Sequence, residues 1–340
     1  MSKILTSNQR ITAFEALGHI MAKPDEQLSA LINSAHQYNA WFTTQSALMA
    51  VSAISGMLNI TDLKIWIGNG LPNAAKSMHS VGLILAGNIP IVGFHDILCV
   101  LASGHKALIK LSTQDQKFIP YILNKLLEIE PGFEQQISYI DRLKDFDAVI
   151  ATGSNNTSRY FDYYFSKVPH IIRKNRNSVA VLNGLESSEE LKALGHDIFD
   201  YFGLGCRNVS KLYLPEGYNF STFFESIEEF KSVADHHKYN NNYDYNKSIF
   251  LVNLDKHLDN GFLLLKEDPR FASPLAVLYY EEYQDLENVG SELLKNKDLI
   301  QCIVSNSKLP LSTIQFGQSQ NPGLLDYADG VDTMKFLREL

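Results

Sequence analysis

Three cysteines stand in the chain, and one of them is set for chemistry. Cys206 lies in "YFGLGCRNVSKLYLP" (201–215), between a Gly-x-Gly turn and an arginine. Gly203 and Gly205 leave the backbone free for tight or positive-φ geometry. Arg207 is an adjacent cation, and such a neighbour favours the thiolate, the nucleophilic form. Cys99 in "HDILCVLASG" and Cys302 in "DLIQCIVSN" sit in apolar runs, where a cysteine acts as a small hydrophobe. The chemistry on offer is nucleophilic catalysis at a single thiol.

Other candidates lie where strands give way to turns. In "LAGNIPIVGFHD", Asn88 follows a buried strand and can project its amide as an oxyanion donor. In "ALIKLST", Lys110 ends a second strand and, with Ser112 beyond it, can hold a ribose or phosphate oxygen. In "VIATGSNNTSRYF", Gly153 and Ser154 sit between a strand and a helix. There, free backbone N–H groups and a hydroxyl attract phosphate. Taken singly, each has a plainer reading: a turn Asn before an X-Pro step, a solvated lysine, a capped βα turn. The full G-x-G-x-x-G fingerprint is absent. His95 and His105, flanking one helix, read as structural, and His236 and His237 as a surface loop.

The elements that position these residues follow from periodicity. The first eighty residues carry apolar residues at three- and four-residue spacings and read as helices. Strands then alternate with helices: "VGLILAGNIP", "KALIKLS", "FDAVIATGS" and "SVAVLNG" are the strands. This pattern predicts parallel βαβ units with right-handed crossovers. A second α/β segment follows from about residue 183, with "ESSEELKALGHDIFDYF" as a helix. "KLYLP", "SIFLVN", "PLAVLYYEEY" and "LIQCIVSN" read as its strands, and "DHHKYNNNYDYNKS" (235–248) as an irregular stretch. The expected organisation is a helical part (1–80), a cofactor domain (81–182), a catalytic domain (183–315) and a C-terminal tail (316–340). The tail is expected to pack back or to lie at a subunit contact.

Composition narrows the classes. A chain of 340 residues, 45% hydrophobic, can bury a large core, which suggests two domains. A net charge of -8 argues against a general nucleic-acid surface. No signal-peptide pattern opens the sequence, and no apolar run reaches the roughly 18 residues of a spanning helix. Three cysteines make no disulfide framework, so the cytoplasm is the expected compartment. With no CxxC pair or clustered His/Cys spacing, no structural metal site is expected.

Taken in order, AGNIP, LIKLS, ATGS and GLGCRNVSKLYLP resemble the aldehyde dehydrogenase superfamily. Longer stretches are similar to its LuxC-type acyl-CoA reductases, the fatty acid reductase branch. They are "GNIPIVGFHDILCVLASGHKALIKLS", "KDFDAVIATGSNNTSRYF", "PHIIRKNRNSVAVLNG", "DIFDYFGLGCRNVSKLYLP" and "NPGLLDYADGVDTMKFL". The resemblance runs from about residue 80 to the end, with a shortened N-terminal part. It implies an α/β, aldehyde dehydrogenase-like fold: a Rossmann-type cofactor domain plus an α/β catalytic domain. It implies Cys206 as the nucleophile that carries the acyl group. It implies Asn88 as the oxyanion amide, assisted by the Cys206 backbone N–H. Lys110 would contact the adenosine ribose, with Ser112 beside it, and Gly153 and Ser154 would turn over the pyrophosphate.

Three departures shape the expectation. Hydrolytic aldehyde dehydrogenases carry a Glu in E-L-G-G-K, 34 positions before the Cys; the equivalent here is Ile172. Without that base the thioester awaits hydride or another thiol rather than water. Three residues after the strand-end lysine, NAD-preferring members often have Glu; Thr113 stands here, which allows NADPH. NADH is also compatible. The family's second Glu, in E-x-F-G-P, has no match at the expected spacing in "KEDPRFASPLAV", where Asp268 is the candidate.

The expected activity is NADPH-dependent reduction of a fatty or other acyl-CoA to the aldehyde. The alternatives are a thiol acyltransferase or thioesterase without nicotinamide use, and a non-catalytic subunit of an acyl-processing complex. The candidate partners are the acyl thioester substrate, an acyl-transferring partner enzyme and a second copy of the chain.

Overall fold

The computed structural model describes residues 5–68, 77–153 and 155–340. The chain divides into two compact units, residues 1–174 with 322–340, and residues 175–321.

In the first unit, four helices lead: α1 (Ser7–Ala22), α2 (Glu26–Ser34), α3 (Thr44–Met57) and α4 (Ile60–Gly68). Thr6 starts α1 with a reciprocal capping box to Gln9, and Thr43 caps α3. Then come β1 (Ser80–Ile84), α5 (Phe94–Ser103), β2 (Lys106–Lys110), α6 (Phe118–Ile129), β3 (Ile137–Tyr139), β4 (Ala148–Thr152), α7 (Asn155–Phe165) and β5 (His170–Arg173). The strands form a parallel sheet in the order β3-β2-β1-β4-β5. Val81, Leu83, Ala107, Ile109 and Val149 are fully buried. Near-continuous apolar strands of this kind suit a sheet covered on both faces. α5 stops at Gly104, whose φ of 85° supplies the left-handed cap.

The second unit holds β6 (Asn177–Val181), α8 (Ser188–Phe199), β7 (Val209–Pro215), α9 (Phe220–Ser226), α10 (His237–Asn253), β8 (Leu258–Asp259), β9 (Leu264–Glu267), β10 (Val277–Tyr283), α11 (Leu286–Lys295) and β11 (Ile300–Val304). Its sheet order is β11-β6-β7-β10-β9-β8, parallel except where β8 meets β9. The period-2 rule is visible in β7. Leu212 and Leu214 enter a core with Leu191, Leu194, Ile198 and Phe223, while Tyr213 packs with Val179, Val289 and Leu293 on the other face. Truncating a fully buried leucine such as Leu212 to alanine should cost about 2–5 kcal/mol.

Several expectations are corrected. The strand in "SVAVLNG" belongs to the second sheet, so the division falls at 174/175 rather than 182/183. The tail is also divided. Gly317 and Ser319 donate their backbone N–H groups to the buried Asp197 carboxylate of α8, at 2.6 and 2.9 Å. Residues 322–340 belong to the first unit, where Trp66 donates to the Tyr327 hydroxyl. "DHHKYNNNYDYNKS" is not irregular and "SIFLVN" is not a strand; both lie largely in α10. Tyr239, Tyr243, Asn246 and Phe250 form its buried face, and three of these carry polar atoms, which hides the apolar period. No single helix among the described residues is long and apolar enough to cross a membrane.

Candidate functional site

In the first sheet, β1 connects to β2 on one side, and β4 lies on its other side. This is a topological switch point, and open α/β sheets bind ligands outside the carboxyl ends of such strands. Ile84 pairs with Lys110 and Ala151, so the turns after β1, β2 and β4 leave the sheet together. Asn88, Lys110, Ser112 and Gly153 are therefore gathered at one edge. Ser154 lies outside the described residues.

The turn after β1 is tightly built. A Cβ on Gly87 would come within 2.4 Å of the Ser112 hydroxyl, so only glycine lets the two turns touch. Asn88 is half-buried in this turn. Ile91 adopts φ 61°, and its N–H donates to Asp115 Oδ2 at 2.8 Å. Asp115 is itself buried, and that burial holds its carboxyl above the usual carboxylate range despite the backbone donors. Lys110 is exposed at the end of β2. Gly153 departs from the expectation of an open donor, because its N–H donates to Arg173 O at 3.3 Å. A Cβ there would meet Thr157 and Phe161, so the glycine serves the close approach of α7.

At its end, β5 carries Ile172 opposite Ala151, and next to it the buried Arg173. Arg173 clamps the Asp96 carboxylate from two nitrogens, at 2.6 and 3.2 Å, and donates to Ala328 O and Thr333 Oγ1. His95 approaches Leu324 O at 3.0 Å, and His105 lies at 2.8 Å from Leu337 O. Both histidines thus serve to hold residues 322–340.

Cys206 is exposed, whereas Cys99 and Cys302 are buried, and burial pushes the Cys99 thiol well up. The loop carrying Cys206 begins at the end of α8. Tyr201, Phe202 and Gly203 are left-handed in succession, with φ of 53°, 59° and 76°. Each non-glycine residue there costs roughly 1–2 kcal/mol, so the turn needs support. Asn208 supplies it. Its Nδ2 donates to Asp197 O, Ile198 O and Asp200 O, and its Oδ1 accepts from Gly205 N–H at 2.8 Å. Ser178 Oγ donates to Cys206 O at 2.9 Å and accepts from Cys302 N–H at 3.1 Å.

Arg207, read in the sequence as the cation beside Cys206, directs Nη1 to Cys302 Sγ at 3.3 Å. Asp268 follows the end of β9, at the level of Glu281 and Tyr213, whereas Cys206 precedes the first residue of β7. Both Asp268 carboxylate oxygens accept from Arg270, at 2.8 and 2.6 Å, which holds this acid below the usual range. His236 rests against Phe202 with ring centroids 4.5 Å apart and stacks on His237. Sequence reasoning missed Asn208, Ser178, Asp115 and Arg173. None carried a clear signal: Arg173 ends the short stretch HIIR and runs directly into the polar KNRN.

No family model and no curated protein matches the sequence. Solved structures do. A putative aldehyde dehydrogenase from Burkholderia cenocepacia is 14% identical, with a TM-score of 0.67 over 90% of this chain and 75% of that one. Aldehyde dehydrogenase 21 from Physcomitrella patens, in complex with the reaction product succinate, is 11% identical, with a TM-score of 0.66 over 98% and 84%. NADP-dependent glyceraldehyde-3-phosphate dehydrogenase from Bacillus halodurans, complexed with NADP, is 13% identical, with a TM-score of 0.65 over 92% and 78%. The chain has the aldehyde dehydrogenase-like α/β fold.

Proposed function

We propose that this chain is a nicotinamide-dependent oxidoreductase that reduces an acyl-CoA or related acyl thioester to the aldehyde. The carrying observation is Cys206: an exposed thiol on a loop whose backbone is held by the side chains of Asn208 and Ser178, in an aldehyde dehydrogenase-like fold. The family position for a water-activating carboxylate is filled by Ile172.

The reaction begins at sulfur. The Cys206 thiolate attacks the acyl carbonyl, a C–S bond forms, and the CoA thiolate leaves and takes up a proton. The developing oxyanion needs a hydrogen-bond donor, and the resemblance assigns that role to the Asn88 side-chain amide. A reduced nicotinamide, when bound, supplies the hydride that turns this thioester to the aldehyde level. The C–S bond then breaks, returning Cys206 as thiolate and releasing aldehyde. The residues at the edge of the first sheet fit a dinucleotide: the exposed ammonium of Lys110, the hydroxyl of Ser112 and the switch point beside β1. Thr113 is exposed and uncharged, which suits a 2′-phosphate and hence NADPH.

One observation favours a second reading, a thiol acyltransferase or thioesterase. The Gly153 N–H, expected to face phosphate, is taken by Arg173 O. A single experiment separates the two. Acyl-CoAs of several lengths are mixed with NADPH or NADH, absorbance loss is followed and aldehyde is trapped. The expected result is aldehyde equal to the NADPH consumed. Free fatty acid or acyl transfer with no nicotinamide consumed sinks the reductase.

A further inference from the structure

We infer that Asn208 is the positioning residue for Cys206, holding the nucleophile's backbone so that the thiol meets the acyl carbon in one geometry. The inference rests on the reading of Cys206 as nucleophile. A helix end leaves carbonyls without intrahelical partners, and these usually find N–H groups of the following turn. Here the chain turns left-handed over Tyr201, Phe202 and Gly203. The carboxamide of Asn208 reaches back instead, to Asp197 O at 3.2 Å, Ile198 O at 3.3 Å and Asp200 O at 2.8 Å. An amide nitrogen has two hydrogens, so the two longer contacts share one of them.

The same side chain also fixes the far part of the loop. Its Oδ1 accepts from Gly205 N–H, and its backbone N–H donates to Gly205 O at 3.1 Å. Both peptide groups of Gly205 are thus tied to one residue. The next carbonyl, that of Cys206, is tied to Ser178. Cys206 is bracketed on both sides while its side chain remains exposed. Asn208 is buried and points at backbone only in these contacts, so it acts through Cys206 rather than on substrate.

The test uses the full chain. Alkylation of Cys206 by iodoacetamide is followed by mass spectrometry across pH, without substrate or cofactor, in the wild type and in Asn208→Ala and Asn208→Asp. Asn208→Asp keeps the acceptor for Gly205 and removes the donors. Ser305→Ala, which removes a buried hydroxyl donating to Val181 O, is the control for ordinary loss of stability. Both Asn208 variants should shift the pH profile of Cys206 alkylation. Where turnover is measurable, they should lower kcat by about 10²-fold with KM little changed, as a misplaced nucleophile does. Ser305→Ala should move neither. A folded Asn208→Ala with a wild-type alkylation profile overturns the inference. If neither variant folds, hydrogen exchange of the wild type decides: the Gly205 amide should be strongly protected, and exchange at an open-loop rate overturns it. Because alkylation needs no acyl-CoA, a failure of the reductase reading shows separately, as absent turnover with the Asn208 effect intact.

Discussion

Asn88 and Cys206 both sit in turns beside parallel strands, but the turns are held in different ways. Asn88 follows β1, at the edge where the sheet topology gathers strand ends. Its turn needs one left-handed residue, Ile91, and is fastened by neighbours from the next βα unit, Ser112 and Asp115. Cys206 precedes β7, and its turn needs two left-handed non-glycine residues in succession. Topology gathers nothing for it, so Asn208 and Ser178 fasten the backbone directly. A ligand edge comes with the fold, whereas a nucleophile ahead of a strand needs its own clamp.

The comparison breaks most completely at sulfur. Cys206→Ala should abolish acylation, while Cys99→Ala and Cys302→Ala keep it. Mass spectrometry after mixing with acyl-CoA should place the adduct on the peptide holding Cys206. An adduct on either buried cysteine would remove the second region's claim to chemistry.

The first region should fail by a charge rather than by a thiol. Arg173 is buried and its partner Asp96 partly so, and Asp96 lies in the first turn of α5, just beyond the Asn88 turn. Removing one partner of such a pair costs about 3–5 kcal/mol, because the other charge is left buried. Arg173→Ala should show that loss in urea unfolding; a loss under 1 kcal/mol would mean the pair is solvated. Asn88→Ala is the sharper probe of chemistry. Loss of one oxyanion donor lowers the rate by about 10²–10³. Nicotinamide binding should stay close to wild type, and a wild-type rate would leave Asn88 a turn residue only.

The same comparison says what was legible in the sequence. The first sheet was readable because β1, β2 and β4 are apolar runs punctuated by Gly, Pro and helices. The candidates at its edge were readable because strand ends face ligands. β5 was missed: it is four residues long and carries the buried Arg173, which breaks the apolar run. α10 was missed because its buried face is Tyr239, Tyr243, Asn246 and Phe250, and its polar atoms are satisfied only in the fold. Tyr239 donates to Phe262 O, and Asn246 to Leu275 O. Cys206 was legible from its glycines, but its clamp was not. Asn208 has no pattern of its own, and its partners become neighbours only after the chain turns left-handed.

A smaller effect separates the strand-end residues. Lys110→Ala should raise the KM for NADPH with kcat nearly unchanged, since an exposed ammonium contributes binding rather than chemistry. Gly87→Ala should do more, because its Cβ would force Ser112 and the two turns apart. Equal KM values for Lys110→Ala and wild type would leave the dinucleotide to other groups.

The smallest prediction sets one histidine of each unit against the other. His105 is buried; its Nδ1 accepts from His79 N–H at 3.2 Å, so Nε2 carries the proton and donates to Leu337 O. Burial, the main cause, lowers its pKa below the ordinary 6.5, with the nearby His79 and Arg10 acting in the same direction. Above about pH 6.5 it is neutral in both the folded and unfolded chain, and stability does not depend on it. As pH falls below that value, the unfolded chain takes up a proton that the folded chain refuses. Stability then drops until the folded pKa is reached, by at most about 1.4 kcal/mol per pH unit. His196 works in the opposite sense. The hydrogen bond to Asp200, at 3.2 Å, raises its pKa, so its contribution is present at low pH and lost as pH rises through the raised value. It is half-exposed, so solvent screens that contribution. His105→Gln, which can still donate to Leu337 O but does not titrate, should therefore flatten the fall in stability between pH 6.5 and 5, whereas His196→Gln should leave that fall close to wild type and remove a small loss of stability as pH rises above 6.5. Urea unfolding of the three proteins on both sides of pH 6.5 measures both slopes. Equal slopes in wild type and His105→Gln would mean that His105 gains its proton without releasing Leu337 and the segment 322–340.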